Sequence, residues 1–538
     1  MERFIPGRAG LTFGAKLARR PDRVVKRVGG LSTELVRVAA GRGSAAPARG
    51  DRRFSDDAWH ANPLSSRLLR GYLAAGETLD GLLSDAKLDE QDERRVRFAL
   101  ENVHDALAPS NYLLTNPVAL RTTVQERGVN LVRGARNFAH DMASSPRLPA
   151  SVDRDQFEVG VNVAATPGAV VLRTELFELI QYKPRTPTVR EQPLLIVPPM
   201  VNKYYLVDLA PERSMVEYLV REGHQVFTLS WRNPEAEHSH WGLDSYADGA
   251  LEAITAVRAI TGASRVHLAG NCSGGALVSM LAARAGALGR LDEIGSIMTG
   301  VSVLDSHRAG TASAFMGPEI AKLAVAGVDR KGYLDGAALQ TFFAWLRPND
   351  LIWGYVTNNY LLGRKPPAFD ILFWNDDTTR MSAGLLRDLA EMAVTNALAD
   401  PGAMELLGTP IDLGQVTCDA YVVAGVADHI TPWENCYATT QLLGGDTRFV
   451  LSSAGHVAAL VNPPGNPKAR YRTAPAGANP PSAQEWAETA SECSGTWWAD
   501  WARWLGERSG PKRRVRKRLG GRGYKVLGAA PGTYVLAD

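Results

Sequence analysis

After residue 190 short apolar runs of strand length alternate with helical stretches, and this rhythm constrains the fold more than any other feature of the chain. Leu194–Val197 is wholly apolar and is stopped by Pro198 and Pro199, as expected of a buried strand. Residues 211–222 read as a helix, with proline in its first turn and Gly223 just past its end. Residues 225–229 give a second strand. Asp244 stands where it would cap a helix carrying Leu251, Ile254, Val257 and Ile260, with Gly262 as its stop. A third strand (265–269), a helix (276–285) and a fourth strand (294–304) follow, and two more strands are expected at 418–424 and 448–452. Strands separated by helices in this way predict a mainly parallel sheet covered on both faces.

The alternation pauses over 306–416. That stretch is rich in aromatics, among them Trp345, Trp353, Tyr355, Tyr360, Phe369, Phe373 and Trp374. A long insertion between late strands sits at the edge where such sheets bind ligands, so it is read as a lid. The plainer alternative is a structural subdomain. Upstream, Leu68, Leu69, Tyr72, Leu73 and Leu79 recur at helical spacing, as do Val96, Phe98, Leu100, Val103 and Leu107. Breaks are placed at Pro63, Pro109 and Pro117. The predicted organisation is a basic, flexible segment (1–50), a mainly helical domain (51–185), an α/β domain (186–510) with the insertion, and a basic tail (511–538).

The chemistry concentrates where the third strand ends. Gly270-Asn271-Cys272-Ser273-Gly274-Gly275 joins that strand to a helix, the layout of a nucleophile elbow with cysteine in place of serine. Glycines beside the nucleophile keep side chains out of the crowded bend. The helix N-terminus beneath the sulfur favours a thiolate, and the Ser273 amide is placed to meet an oxyanion. A small core cysteine in a Gly-rich turn would leave the same short motif. Two later segments bear on that choice: Asp428 lies just past the strand at 418–424, and His456 just past the strand at 448–452. Nucleophile, acid, histidine is the chain order of the α/β-hydrolase fold, and all three residues follow strands of one parallel sheet. The turn after the first strand, 197–202, is the slot for a second oxyanion donor, and the Val201 amide is the candidate; a plain strand-ending turn is the alternative.

Composition narrows the setting. The formal net charge is +3, but residues 1–49 hold 11 basic and 3 acidic side chains and residues 511–525 hold 8 basic and none acidic. Two basic ends flank an acidic body, an arrangement that attracts polyanions or simply solvates two tails. The 4 cysteines form no Cys-x-x-Cys pair, which argues against a disulfide scaffold and a cysteine zinc site. His238 and His240 have metal-ligand spacing without further ligands, so no metal site is assigned. The start of the chain lacks the layout of a secretory signal. No apolar run reaches the roughly 18 residues of a spanning helix.

At these residues the chain resembles the polyhydroxyalkanoate synthases, bacterial polyester polymerases. The resemblance is carried by Val197-Pro-Pro-Met-Val-Asn-Lys-Tyr-Tyr205, Ser230-Trp-Arg-Asn-Pro234, Gly270-Asn-Cys-Ser-Gly-Gly275, Leu346-Arg-Pro-Asn-Asp-Leu-Ile-Trp353, Phe373-Trp-Asn-Asp-Asp377, Asp428-His-Ile-Thr-Pro-Trp433 and Gly455-His456. It extends to Asn62-Pro63 and Ala108-Pro-Ser-Asn111 in the helical region, and is strongest to the type that polymerises medium-chain monomers.

The resemblance implies an α/β-hydrolase fold with a lid insertion, preceded by a smaller mainly helical N-terminal domain. It implies a triad of Cys272, His456 and Asp428, with His429 and Asn271 at the substrate. The implied substrate is (R)-3-hydroxyacyl-CoA, polymerised with release of CoA through an acyl-cysteine; the CoA thioester is substrate, and no cofactor is expected. The expected partners are the polyester granule surface, granule-associated proteins and a second copy of the chain, with no nucleic acid and no transmembrane segment. The expected location is the cytoplasm, at the granule surface. The competing readings are a cysteine-type α/β hydrolase that releases free acid and a non-catalytic granule-coating protein.

Overall fold

Pro63 and Pro117, expected as helix breaks, are helix starts. Each occupies the first turn of a helix, Pro63–Ala86 and Pro117–Gln125, where its missing N–H costs nothing. The preceding Asn62 and Asn116 accept the next free amides, Leu64 N–H and Val118 N–H, each at 2.9 Å. The computed structural model describes residues 7–48, 50–306, 325–475, 477–516 and 518–537. These divide into two units.

The first unit combines Met1–Asp153 with Gln340–Phe369. Residues expected to be loosely held form two helices, Gly7–Ala18 and Pro21–Ala39. Ala9 is buried with Leu83 and Val96, and Arg27 meets Asp85 at 2.7 Å; amphipathic packing overrides the glycines and the charge. A second cluster gathers Phe54, Trp59 and Leu69. The helix Val129–Ala143 receives the chain at Gln340–Phe369. Asn130 donates to the Leu361 carbonyl at 2.8 Å, and the Tyr360 hydroxyl donates to Asp141 at 2.8 Å.

The second unit is built on an eleven-stranded sheet. Its strands in chain order are β1 (Gly168–Arg173), β2 (Phe177–Tyr182), β3 (Leu194–Val197), β4 (Val226–Trp231), β5 (Val266–Asn271), β6 (Ile294–Gly300), β7 (Ala420–Gly425), β8 (Thr447–Ser452), β9 (Arg470–Thr473), β10 (Ser491–Ser494) and β11 (Gly528–Ala529). Across the sheet the order is β10-β9-β8-β7-β6-β5-β3-β4-β2-β1-β11. The centre, β8 to β4, is parallel throughout. Every residue of β3, β4, β5 and β7 is buried, as a parallel sheet covered on both faces requires. Antiparallel strands close both sides. The hairpin β1–β2 falls inside the span expected to be helical, because its Ala169-Val170-Val171 run is a buried strand.

Several local expectations shift. The helix expected at 211–222 begins at Met215, capped by Ser214, whose hydroxyl accepts the Glu217 amide at 2.9 Å. Asp244 does not cap its helix. Gly242 is the cap residue, the Leu243 amide donates to Asp388 at 2.7 Å, and Asp244 accepts the Leu407 amide at 2.8 Å; a carboxylate distant in sequence took the role. β6 stops at Gly300 rather than 304 because Val301 turns the chain with φ 45°.

Of the insertion expected at 306–416, residues 307–324 lie outside the described residues. Gln340–Phe369 belongs to the first unit and the remaining described part to the second. The expected C-terminal tail is bound to the sheet. Lys512–Arg514 pairs with Thr188–Arg190, β11 pairs with β1, and the fully buried Glu178 accepts the Thr533 and Tyr534 amides at 2.8 and 3.0 Å.

Candidate active site

β5 runs into Cys272, and the helix Ser273–Ala287 starts at the next residue. Cys272 has φ 50° and ψ −123°, a conformation that costs a non-glycine residue on the order of 1–3 kcal/mol and persists only where its surroundings enforce it. The Cys272 amide donates to the Gly300 carbonyl at 2.8 Å, and the Ser302 hydroxyl donates to the Cys272 carbonyl at 2.9 Å. Gly274 must lack a side chain, since a Cβ there would strike the Val197 and Pro198 backbone. This close approach brings the β3 turn against the helix N-terminus. The Met200 amide donates to the Ser273 hydroxyl at 3.3 Å. The Ser273 and Val201 amides, the two expected oxyanion donors, have no protein acceptor among the described residues.

Asp428 follows β7, and His456 opens a short helix after β8. His456 Nδ1 lies 2.7 Å from Asp428 Oδ2. Asp428 Oδ1 accepts the Ile430 and Thr431 amides, each at 2.9 Å, and Oδ2 accepts the Thr431 hydroxyl at 2.6 Å. Burial works to raise the Asp428 carboxyl, but its hydrogen bonds with His456 and Thr431 prevail and hold it below the usual range. For His456, burial pulls downward, and hydrogen bonds to Asp428 and Cys272 outweigh it, raising the ring to about 10. With Nδ1 on the carboxylate, Nε2 is the nitrogen left for the sulfur.

The structure therefore hydrogen-bonds His456 to Asp428 and sets Cys272 near enough to His456 to raise its ring. Asn271 is buried at the end of β5, its carboxamide oxygen against Gly300. His429 is half-buried beside the acid. His238 is buried, with Nδ1 accepting the Glu235 amide at 2.9 Å and its ring 4.1 Å from that of Trp241. Burial pushes the Cys418 thiol up to about 12 and pushes fully buried Cys436 up as well. Sequence reasoning missed Thr431, whose hydroxyl faces both Asp428 and His456 Nδ1, the latter at 3.1 Å. The available signal was its position three residues after the acid, where a hydroxyl folds back onto a carboxylate.

A strand–cysteine–helix elbow on a parallel sheet, with an acid after β7 and a histidine after β8, defines an α/β-hydrolase-fold protein. Residues 193–463 match the alpha/beta hydrolase fold family, and residues 50–219 match the family described as poly-beta-hydroxybutyrate polymerase (PhaC) N-terminus. Among curated proteins the chain is 44% identical to poly(3-hydroxyalkanoate) polymerase 1 of Ectopseudomonas oleovorans, over 96% of this chain and 92% of that one. It is equally identical, with the same coverage, to poly(3-hydroxyalkanoate) polymerase 2 of that organism. It is 38% identical to the poly(3-hydroxyalkanoate) polymerase subunit PhaC of Cupriavidus necator, over 93% of this chain and 85% of that one. The chain belongs to the poly(3-hydroxyalkanoate) polymerases, and is an acyltransferase enzyme of polyhydroxyalkanoate synthesis. Among the described residues no helix is long and apolar enough to cross a membrane.

Proposed function

We propose that the chain polymerises (R)-3-hydroxyacyl-CoA through an acyl group carried on Cys272. The supporting observation is the row Cys272–His456–Asp428 at a backbone conformation that only an enforced turn sustains. His456 takes the Cys272 proton, and the thiolate attacks the thioester carbonyl. The Ser273 and Val201 amides meet the oxyanion. As it collapses, the acyl–sulfur bond to CoA breaks, the bond to Cys272 Sγ remains, and the proton on His456 leaves with the CoA thiolate. Exchange between two thioesters is nearly isoenergetic, so loading is reversible.

The second half-reaction uses the same groups. His456, held by Asp428, takes the proton from the 3-hydroxyl of another acyl unit. That oxygen attacks the Cys272 thioester, an oxoester bond forms, and the thiol is regenerated by the proton from His456. Thioester to oxoester runs downhill, which drives elongation. Asn271 and His429 orient the substrate, and no step calls for a cofactor. Water must be kept from the thioester or the chain ends as free acid. The product is an apolar polyester, so the enzyme works at the surface of a cytoplasmic granule, among granule-bound proteins and as a homodimer.

The test is incubation of purified protein and its Cys272→Ala variant with (R)-3-hydroxyacyl-CoA, reading CoA with a thiol reagent and separating polymer from soluble acid. Polymer plus CoA from the wild type, and neither from a folded variant, are the expected results. Free acid alone would instead support a hydrolase.

A further inference from the structure

The loop that carries Val201 is held on its N-terminal side by the Met200–Ser273 contact, and on its C-terminal side by one short segment. Within Asn202–Tyr205, Asn202 forms a backbone bridge with Thr378. Lys203 Nζ lies 2.7 Å from Asp377 Oδ1, and the two side chains are only 5% and 8% exposed. The Tyr205 hydroxyl donates to Asp377 Oδ2 at 2.7 Å, and Trp374 Nε1 donates to the Lys203 carbonyl at 2.8 Å. Four contacts thus join a four-residue piece of the loop to residues 374–378, just after the insertion re-enters the second unit. A buried ion pair with both carboxylate oxygens engaged is a poor source of stability, because desolvation offsets its attraction. It is a good source of position, because only one geometry satisfies every partner.

We propose that the Lys203–Asp377 pair is a positioning device that holds the Val201 amide at the oxyanion of acyl transfer. The inference rests on the acyl-cysteine reading and adds to it: the second oxyanion donor is set by a piece of the insertion as well as by the helix N-terminus at Ser273. Lys203 and Asp377 are positioning residues and touch no reacting atom. Loss of the pair lets the loop drift, so the transition state loses one donor while the cysteine, its base and the acid remain in place.

Two reactions of the same sulfur separate these effects. Acyl transfer passes through an oxyanion, whereas alkylation of Cys272 by iodoacetamide is a displacement at carbon that forms none. In Asp377→Asn, CoA release is expected to fall about 100-fold in kcat, the usual effect of losing one oxyanion donor, with KM nearly unchanged. The alkylation rate at Cys272, followed by peptide mass spectrometry, should stay at the wild-type value. Tyr205→Phe keeps the ion pair and removes one hydrogen bond; it should show the same split at about tenfold, and it decides the matter if Asp377→Asn does not fold. Retained turnover, or parallel loss of turnover and alkylation, overturns the clamp alone. Turnover that survives full alkylation of wild-type Cys272 overturns the nucleophile assignment and the clamp with it.

Discussion

Asp428 Oδ2 accepts two donors at once, His456 Nδ1 at 2.7 Å and the Thr431 hydroxyl at 2.6 Å. The carboxylate is therefore more than a countercharge: it fixes the ring so that Nδ1 carries a proton and Nε2 faces Cys272. His456 is raised to about 10 by this carboxylate and by the sulfur, against its burial. A ring raised in this way is a stronger base toward the Cys272 thiol.

That pairing predicts an alkaline limit to catalysis. CoA release should hold up through pH 8 and 9 and decline as His456 loses its proton near 10. Asp428→Asn removes the carboxylate that raises the ring, so the decline should move toward neutrality and the maximal rate should fall. Initial rates from pH 7 to 10.5 for both proteins check this. An unmoved limb in the variant would separate Asp428 from the histidine.

The same shift links to stability. His456 binds its proton more tightly folded than unfolded, so its contribution is complete below the unfolded value near 6.5 and is lost as pH rises through about 10. The wild type should lose melting temperature between pH 7 and 10.5 more steeply than His456→Gln, which lacks the group. Parallel curves from thermal melts would contradict the shift.

Thr431 is expected to matter through geometry. Thr431→Val keeps the shape and removes the hydroxyl shared by Asp428 and His456. A hydrogen bond to a charged group is worth about 1.5–3 kcal/mol, so kcat should fall about tenfold or somewhat more, with KM little changed. Thr431→Ser retains the hydroxyl and should restore most of the rate. Equal losses in both variants would assign Thr431 to packing.

The sheet centre was legible because apolar runs such as Leu194–Val197 and the buried strand 420–425 leave no other reading. The placement of Cys272, Asp428 and His456 just past strands was legible because the fold fixes that chain order. Asp244 misled because capping depends on which carboxylate arrives in space, and Asp388 arrived from far along the chain. The ends misled for a related reason. Their arginines suggested solvated tails, but Glu178 and the free edge of β1 supply partners that composition does not reveal. Lys203 and Asp377 sat in recognised motifs, yet nothing local indicates that they form a buried pair.

Two glycines of the first unit offer a paired test of packing against propensity. Gly134 and Gly29 both lie inside helices, Val129–Ala143 and Pro21–Ala39. A Cβ at Gly29 meets nothing within 4 Å, whereas one at Gly134 would run into the Tyr360 backbone. Gly29→Ala should stabilise the protein by about 0.5–1 kcal/mol, the ordinary gain in helix propensity. Gly134→Ala should destabilise it by about 1–3 kcal/mol, since the clash outweighs that gain, and should loosen the segment around Tyr360. Urea unfolding measures both signs. Trypsin reports the second effect locally, with faster cleavage after Arg364 in Gly134→Ala alone. Stabilisation by both substitutions would show that Gln340–Phe369 does not rest on the Val129–Ala143 helix.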